Sequence, residues 1–302
     1  MKCRNTFFRG LVFLCLLVAV QTAVFSADNA DSKSTKSFMW KADGKGTVYM
    51  LGSIHLCKAD MYPLDKRIES AFKESQILAL EVNPLAIDQM KVMKIIMNKG
   101  MYKGTETLKD NLSKEDFEML RKHCEENSLN IQDMMKFKPA MVSLMLPTME
   151  LMKMGYRPDL GIDYYFAKKA TGSKKIVELE TLNQQMSLIF DMPEQEELLK
   201  YTVADMSNLG KSINAIVTAW KEGDAKTMEQ IISKPLKEKN ANEFKPVYKK
   251  IFDDRNIKMA EKIKGFLATE KTYFVVVGAG HLVGEKGVIQ LLKKEGVNVV
   301  QK

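Results

Sequence analysis

Two stretches with the same local pattern constrain the fold of this chain more than any other feature. In each, an apolar run typical of a buried β-strand ends on a glycine, and a histidine follows three residues after that glycine. The stretches span residues 48–55 and 273–281, and their glycines and histidines are Gly52, His55, Gly278 and His281. The chain has three histidines in all, so two of the three occupy equivalent places. We expect Gly52, Gly278 and Gly280 to adopt backbone conformations closed to other residues, which would bring each histidine back over the end of its strand.

The segments between these stretches predict an α/β fold. A helix is expected to begin at Pro63, where apolar residues recur at helical spacing, and to lead into a buried strand. Residues 84–160 contain helical patterns without strand signals, and we interpret them as a large helical insertion. Besides the two stretches above, strands are expected at residues 38–41, 77–82, 175–180 and 297–300. Together they predict a central sheet, mostly parallel or mixed, flanked by helices.

The first residues of the chain have the order of a secretory signal peptide. Basic residues precede a ten-residue apolar run, which is followed by small residues, so residues 1–26 are interpreted as a cleaved leader. The alternative is an uncleaved segment that anchors the protein in a membrane. Residues 27–37 are small and polar and predict a flexible linker, and residues 38–302 are expected to form a single domain. The protein is therefore expected to be exported, to the periplasm or the extracellular space.

Charge and cysteine content narrow the choice of partners. Lysine and arginine outnumber aspartate and glutamate by 46 to 38, but this excess is spread along the chain without a basic block, so no nucleic-acid partner is expected. Membrane contact is expected only through the leader. Without the leader two cysteines remain, Cys57 and Cys124, which could form one disulfide or stay as buried thiols. The 21 methionines fall at helical spacings and are interpreted as core side chains.

Candidate ligands for a metal ion follow four of the predicted strands. They are His55, Glu81, Glu180 and His281. In an open parallel sheet the carboxyl ends of the strands lie along one edge, where ligands bind, so these side chains should converge. Two imidazoles with one or two carboxylates suit a divalent ion such as zinc, manganese or cobalt, and an open coordination position would hold an activated water.

Each candidate has a structural alternative. Glu81 is the only charged residue of its strand, so it could instead form a salt bridge with Arg255 or a lysine. Either Glu178 or Glu180 could be the functional carboxylate of the next strand. Asp163 begins a predicted helix and could reach the site, although a charge at a helix start needs no such role. The third histidine, His123, is interpreted as structural, and Cys57 as a buried thiol rather than a thiolate ligand.

Six short motifs extend this pattern over nearly all of the chain after the leader. They are Leu51-Gly-Ser-Ile-His-Leu56, Leu80-Glu-Val82, Gly161-Ile-Asp-Tyr-Tyr-Phe166, Leu179-Glu-Thr181, Asp254-Arg-Asn256 followed by Met259-Ala260, and Val277-Gly-Ala-Gly-His-Leu-Val-Gly284. In these motifs and their order, residues 38–301 resemble the TraB/GumN family, which is related to the TIKI proteins, metal-dependent proteases of the Wnt pathway. The resemblance implies a peptidase in which His55, Glu81 and His281 are the functional positions. It also implies that Arg255 holds a substrate carboxylate or a developing oxyanion.

These observations lead to one functional hypothesis and one rival. The hypothesis is an exported divalent-metal-dependent hydrolase that acts on peptide bonds of a peptide or protein substrate. His55, Glu81 and His281 would bind the metal, Glu180 or Asp163 would be the general base or a further ligand, and Arg255 would orient the substrate. The rival is a binding protein without catalysis that sequesters a metal, a haem-like ligand or a peptide. The sequence leaves the oligomeric state open.

Overall fold

A six-stranded sheet lies at the centre of the computed structural model, which describes residues 36–237 and 241–302. The strands of this described part are β1 (Met39–Asp43), β2 (Thr47–Ser53), β3 (Ile77–Leu80), β4 (Lys175–Glu178), β5 (Thr272–Gly278) and β6 (Val299–Gln301). Their order across the sheet is β4-β3-β5-β2-β1-β6. Neighbours among β4, β3, β5 and β2 are parallel, whereas β1 is antiparallel to both β2 and β6. The predicted mixed α/β sheet is confirmed.

Helices surround this sheet and make up most of the remaining described chain. The α-helices are α1 (Lys66–Glu74), α2 (Gln89–Ile95), α3 (Lys114–Glu126), α4 (Pro139–Lys153), α5 (Ile162–Ala170), α6 (Leu182–Phe190), α7 (Gln195–Asp205), α8 (Leu209–Lys221), α9 (Ala225–Ser233), α10 (Ala241–Tyr248), α11 (Asp254–Leu267), α12 (Ala279–Leu282) and α13 (Val288–Lys294). Two π-helical turns, Ile96–Gly100 and Lys249–Asp253, follow α2 and α10. The predicted insertion at residues 84–160 holds α2, α3 and α4, and β4 and β5 are separated by a second helical stretch.

Local signals explain where the first helix begins and how it packs. The sequence predicts a start at Pro63, but α1 begins at Lys66, because the carboxylate of Asp65 accepts a hydrogen bond from the backbone N–H of Arg67 at 2.7 Å and caps the helix. The inner face of α1 carries Phe72, which packs against Phe166 of α5 and Phe274 of β5, with ring centroids 4.9 and 5.5 Å away. This aromatic cluster attaches α1 and α5 to the sheet.

The described residues begin at position 36 and include both Cys57 and Cys124. The expected leader, residues 1–26, lies outside the described residues, as does the expected linker except for its last two positions. No helix in residues 36–237 or 241–302 is both long enough and apolar enough to cross a bilayer. Cys57 and Cys124 are both buried free thiols, so the disulfide alternative is not realised.

The glycines at the strand ends serve a purpose that differs from the expected one. None of Gly52, Gly278 and Gly280 has a positive φ, so the expectation of a special backbone conformation is wrong. The reason for glycine at two of them is space. A Cβ on Gly52 would lie 2.5 Å from the ring of Phe38, and a Cβ on Gly280 would lie 2.8 Å from the ring of Phe252. Close packing around the strand ends, rather than φ, therefore excludes larger residues.

Candidate functional site

The carboxyl ends of the parallel strands bring the predicted site residues to one edge of the sheet. Ser53 at the end of β2 is in register with Gly278 at the end of β5, and Leu80 at the end of β3 is in register with Val276. Glu81, the residue after β3, reaches across to β5, where its Oε1 accepts a hydrogen bond from the backbone N–H of Gly278 at 2.5 Å. The strand order places β3, β5 and β2 side by side, and this order therefore brings the residues at their carboxyl ends together.

His55 is held by a carboxylate from α5. Its Nδ1 lies 3.0 Å from Oδ1 of Asp163, and the hydroxyl of Ser53 donates to the same oxygen at 2.9 Å. Burial would lower the pKa of His55, but the charge and hydrogen bond of Asp163, aided by the charge of Glu81, outweigh it and raise the pKa above its usual value. Because Ser53 donates to Asp163 and not to His55, these three residues do not form a serine–histidine–aspartate nucleophile.

The loop before α5 presses closely on His55. The backbone N–H of Ile162 donates to the carbonyl of Ile54 at 3.1 Å, and a Cβ on Gly161 would lie only 2.3 Å from the carbonyl oxygen of His55. Glycine is therefore needed at position 161 for α5 to approach near enough that Asp163 reaches the imidazole.

His281 is held from its other side by Asn256 of α11. Its Nδ1 lies 2.6 Å from Oδ1 of Asn256, whose amide nitrogen donates to the carbonyl of Lys286 at 2.9 Å. Since that amide nitrogen faces Lys286, it is the oxygen of Asn256 that faces the ring, and Nδ1 of His281 must be the donor. Burial, followed by the positive charges of Arg255 and His55, lowers the pKa of His281 well below its usual value. The ring is thus neutral, with its lone pair on Nε2.

That lone pair faces the carboxylate of Glu81. His281 is completely buried, and its Nε2 has no hydrogen-bond partner among the described residues. Oε1 of Glu81 lies 3.9 Å from it. Nε2 is thus a buried acceptor close to a carboxylate oxygen, an arrangement that a cation between the two atoms would stabilise. The separation is shorter than the sum of a zinc–nitrogen and a zinc–oxygen bond, which is about 4.2 Å.

Arg255 joins the two glutamates of the edge. Its Nη2 donates at 2.6 Å to Oε2 of Glu81 and at 2.6 Å to Oε2 of Glu180, and its Nε donates at 2.8 Å to Oε1 of Glu180. Its Nη1 donates to the carbonyl of Ile251 at 3.1 Å. The salt bridge that the sequence offered as the structural alternative for Glu81 is therefore present.

The two glutamates also share a second donor. The side-chain amide of Gln185, from α6, donates to Oε2 of Glu81 at 3.0 Å and to Oε2 of Glu180 at 3.1 Å. Burial would raise the pKa of Glu180, but the hydrogen bond and charge of Arg255, together with Gln185 and Lys262, lower it below the usual value. Glu178 instead accepts from the backbone N–H of Asn83 at 2.6 Å, so Glu180 is the carboxylate that joins Glu81.

The fit of a metal ion to these residues depends on donor chemistry. A neutral imidazole with a buried lone pair, facing a carboxylate oxygen, is a donor pair that divalent transition metals accept. A second imidazole follows the adjacent strand β2, and Asp163 and Asn256 hold the two rings from behind as supporting groups do in metal sites. However, residues 36–237 and 241–302 contain no group of three or more His, Cys, Asp and Glu side chains that could hold a metal ion. The donor atoms are of a type that such a metal accepts. As placed, Nε2 of His281 and Oε1 of Glu81 form a pair of donors and not a complete set of ligands.

A cavity lies on the Asn256 side of His281. Its volume is about 390 Å³, and it is bordered by α9, the π-helical turn before α11 and the loop Val283 to Gly287. Asn256 forms part of its wall, so one side chain separates the cavity from the ring of His281. This volume is within the range of small-ligand pockets.

The remaining candidates lie elsewhere or are inert. His123 lies on α3, where its ring contacts the side chain of Asn127 at 3.4 Å. The thiol of Cys57 donates to the carbonyl of Ile54 at 3.3 Å, and burial raises its pKa, which matches a buried thiol. Sequence reasoning missed Gln185 and Ser53, and it gave Asn256 no role. Only the position of Asn256 beside Arg255 in a motif pointed to it.

Comparisons with known proteins find one family model and several relatives at low identity. The model of the TraB/PrgY/gumN family matches residues 38–301. The uncharacterized protein YbaP of Escherichia coli (strain K12) is 24% identical over 254 residues, which is 83% of this chain and 89% of YbaP. Metalloprotease TIKI1 of Xenopus tropicalis is 23% identical over 342 residues, which covers 94% of this chain and 66% of its own. The metalloprotease TIKI homolog of Nematostella vectensis is 22% identical and covers 90% and 68%. No solved structure matches.

Proposed function

The chain belongs to the TraB/PrgY/gumN family, and we propose that it is a divalent-metal-dependent hydrolase that acts on peptide bonds. The observation that carries the proposal is Nε2 of the buried, neutral His281 ring, which has no hydrogen-bond partner among the described residues and lies 3.9 Å from Oε1 of Glu81. Similarity to proteins named metalloproteases supports both the metal and the reaction class.

We assign the metal to His55, Glu81 and His281. A divalent metal bound there would lower the pKa of a bound water and polarise the scissile carbonyl. The other residues of the edge prepare these donors. Asn256 keeps the lone pair of His281 on Nε2, and Asp163 holds the ring of His55.

Glu180 and Asp163 differ in their suitability as the general base. Arg255 and Gln185 lower the pKa of Glu180, which makes it a weak proton acceptor. Asp163 accepts from Ser53 and faces Nδ1 of His55, on the side of the ring away from Nε2, so we assign it to holding that ring. Glu180 therefore remains the candidate for a base or a further ligand. Arg255 already uses Nε, Nη1 and Nη2 to hold protein oxygens, so we assign it to fixing Glu81 and Glu180 rather than to substrate.

Metal analysis tests the ligand assignment directly. The protein would be isolated from its native compartment, and its zinc, manganese and cobalt content measured for wild type, for the double variant His55→Ala/His281→Ala and for His123→Ala as a matched control. We expect about one ion per chain in wild type and in the control, and a loss of that ion in the double variant. Equal and negligible metal in all three would contradict the assignment.

Digestion of a peptide library tests the reaction. Wild type supplied with each metal in turn should cleave at least part of the library, and the double variant should not. If wild type holds the metal tightly and leaves every peptide intact, the sequestering rival explains the site and the peptidase proposal is wrong.

A further inference from the structure

A short surface segment that follows Glu81 in the chain exposes large apolar side chains. Five large hydrophobic residues are exposed in the described part of the chain, and three of them lie between positions 85 and 97. Met90 is 68% exposed, Met97 is 58% exposed and Leu85 is 41% exposed. We call these three residues the apolar ridge. The sequence predicts that methionines fill the core, so Met90 and Met97 depart from that expectation and need another explanation.

The local fold holds the ridge outward. Asp88 caps α2 by accepting hydrogen bonds from the backbone N–H groups of Met90 and Lys91. Val92 and Ile96 are buried and attach this helical segment to the core. Met90 lies on α2 and Met97 on the π-helical turn that follows it, and both side chains are exposed. These two residues are therefore presented on a helical segment anchored to the core, and Leu85 lies in the turn before it.

Lysines predominate around Met90 and Met97, and the one acidic residue in the segment of the ridge, Asp88, is the cap of α2. Between Asp88 and Glu106 the chain has four lysines and no acidic residue. Lys91, Lys94 and Lys103 are exposed, while Lys99 pairs with Asp191 at 2.5 Å. Protruding apolar side chains flanked by lysines are the combination by which amphipathic segments bind anionic lipid surfaces.

We propose that the apolar ridge docks the protein on an anionic lipid surface, with Lys91, Lys94 and Lys103 facing the headgroups. A second copy of the chain fits this surface poorly, because an isologous contact would bring the same lysines together. A peptide partner would need a groove, whereas Met90 and Met97 protrude. The ridge begins four residues after Glu81, so docking would hold the carboxyl edge of the sheet close to the membrane.

Vesicle binding tests the proposal. The full chain, with the same N-terminus in every variant, would be sedimented with vesicles of phosphatidylcholine alone or mixed with phosphatidylglycerol. Wild type should bind the anionic vesicles more strongly, and Met90→Asp/Met97→Asp should weaken that binding about tenfold or more. Lys91→Glu/Lys94→Glu should weaken it on anionic vesicles only. Ile257→Asp is the matched control, because Ile257 is 49% exposed on α11 among charges of both signs.

An insertion signal supplies a second readout. Trp40 and Trp220 are buried, so a tryptophan in Met97→Trp would report the ridge, and its emission should shift to shorter wavelength on anionic vesicles alone. The proposal is overturned if the double methionine variant binds like wild type, or if Ile257→Asp loses as much binding. Saturable binding of an acidic apolar peptide without vesicle binding would assign the ridge to a peptide and also overturn it.

Discussion

Replacement of Arg255 by methionine should destabilise the fold strongly. The variant loses the guanidinium that donates to Glu81, Glu180 and the carbonyl of Ile251, and it leaves the buried carboxylate of Glu81 and the part-buried one of Glu180 without their cation. Arg255 is 5% exposed, so water cannot replace it without structural change. Removal of one partner of a buried ion pair costs roughly 3–5 kcal/mol. Methionine fills most of the arginine stem, which keeps the cavity contribution small, so we expect a loss of about 3–5 kcal/mol.

Two further variants separate charge from geometry. Arg255→Lys keeps a positive charge but cannot reproduce the fork that contacts both glutamates, so its loss should be smaller, about 1–3 kcal/mol. In Glu81→Gln/Glu180→Gln/Arg255→Met no charge remains uncompensated, and much of the lost stability should return. If the losses of the single variants simply add, the three residues are not coupled as the hydrogen bonds imply.

The pH dependence of the Arg255→Met difference has a defined sign. In the wild type the folded-state pKa of Glu180 is lowered, so the stability from this pair is present above the unfolded pKa and is lost as pH falls through the folded one. In the variant, burial acts without the arginine and raises the pKa of Glu180, so the carboxyl is already neutral in acid. The difference should be largest at neutral pH and should shrink below pH 4.5, the usual value for this group.

Urea unfolding, followed by circular dichroism and by tryptophan fluorescence, measures these free energies. The two signals should coincide if the transition has two states. A difference at neutral pH of less than about 1 kcal/mol between wild type and Arg255→Met would refute the reasoning, because it would mean that water or another donor compensates the two carboxylates.

Substitutions of Gly161 and of Asn256, each with a control, probe the supports of the histidines. Gly161→Ala would place a Cβ 2.3 Å from the carbonyl oxygen of His55, so it should cost about 1–3 kcal/mol in thermal unfolding, whereas Gly265→Ala, with nothing within 4 Å in its helix, should stabilise slightly. Asn256→Leu should release the Nδ1–H tautomer of His281, visible in its nitrogen chemical shifts, while Asn256→Asp should retain it; an unchanged tautomer in Asn256→Leu would show that another group holds the ring.

The sequence predicted the sheet because its signals are local. The apolar run ending at Gly278 is typical of a buried strand, and the alternation of strands with helices permits few topologies. The predicted limits of helices were less accurate. The sequence predicts that the first helix begins at Pro63, but a hydrogen bond to the side chain of Asp65 places its start at Lys66. The reason for glycine at position 52 could not be predicted from the sequence. The ring that excludes a larger residue there belongs to Phe38, which directly precedes β1.

The site was predictable to the extent that topology alone brings residues together. His55, Glu81 and His281 follow parallel strands, and such strands end at one edge. Gln185 and Asn256 lie on helices, and their contacts with Glu81 and His281 depend on how those helices pack, which no local pattern encodes. The roles of Glu180, Asp163 and Arg255 stay predictions for the same reason: their partners are known, but a role needs a substrate in place.

The salt bridge of Glu81 and its proposed role as a metal ligand are compatible, because they use different oxygens. Oε2 accepts from Arg255 and Gln185, while Oε1 accepts from the backbone of Gly278 and faces His281. Neutralisation of the carboxylate by Arg255 does not explain why the neutral imidazole of His281 lies with its Nε2 3.9 Å from Oε1. Because Asn256 holds the hydrogen of His281 on Nδ1, Nε2 is left as an acceptor, and a cation bound between it and Oε1 would satisfy it. The salt bridge therefore accounts for Oε2 of Glu81, and the proposed metal binding concerns Oε1.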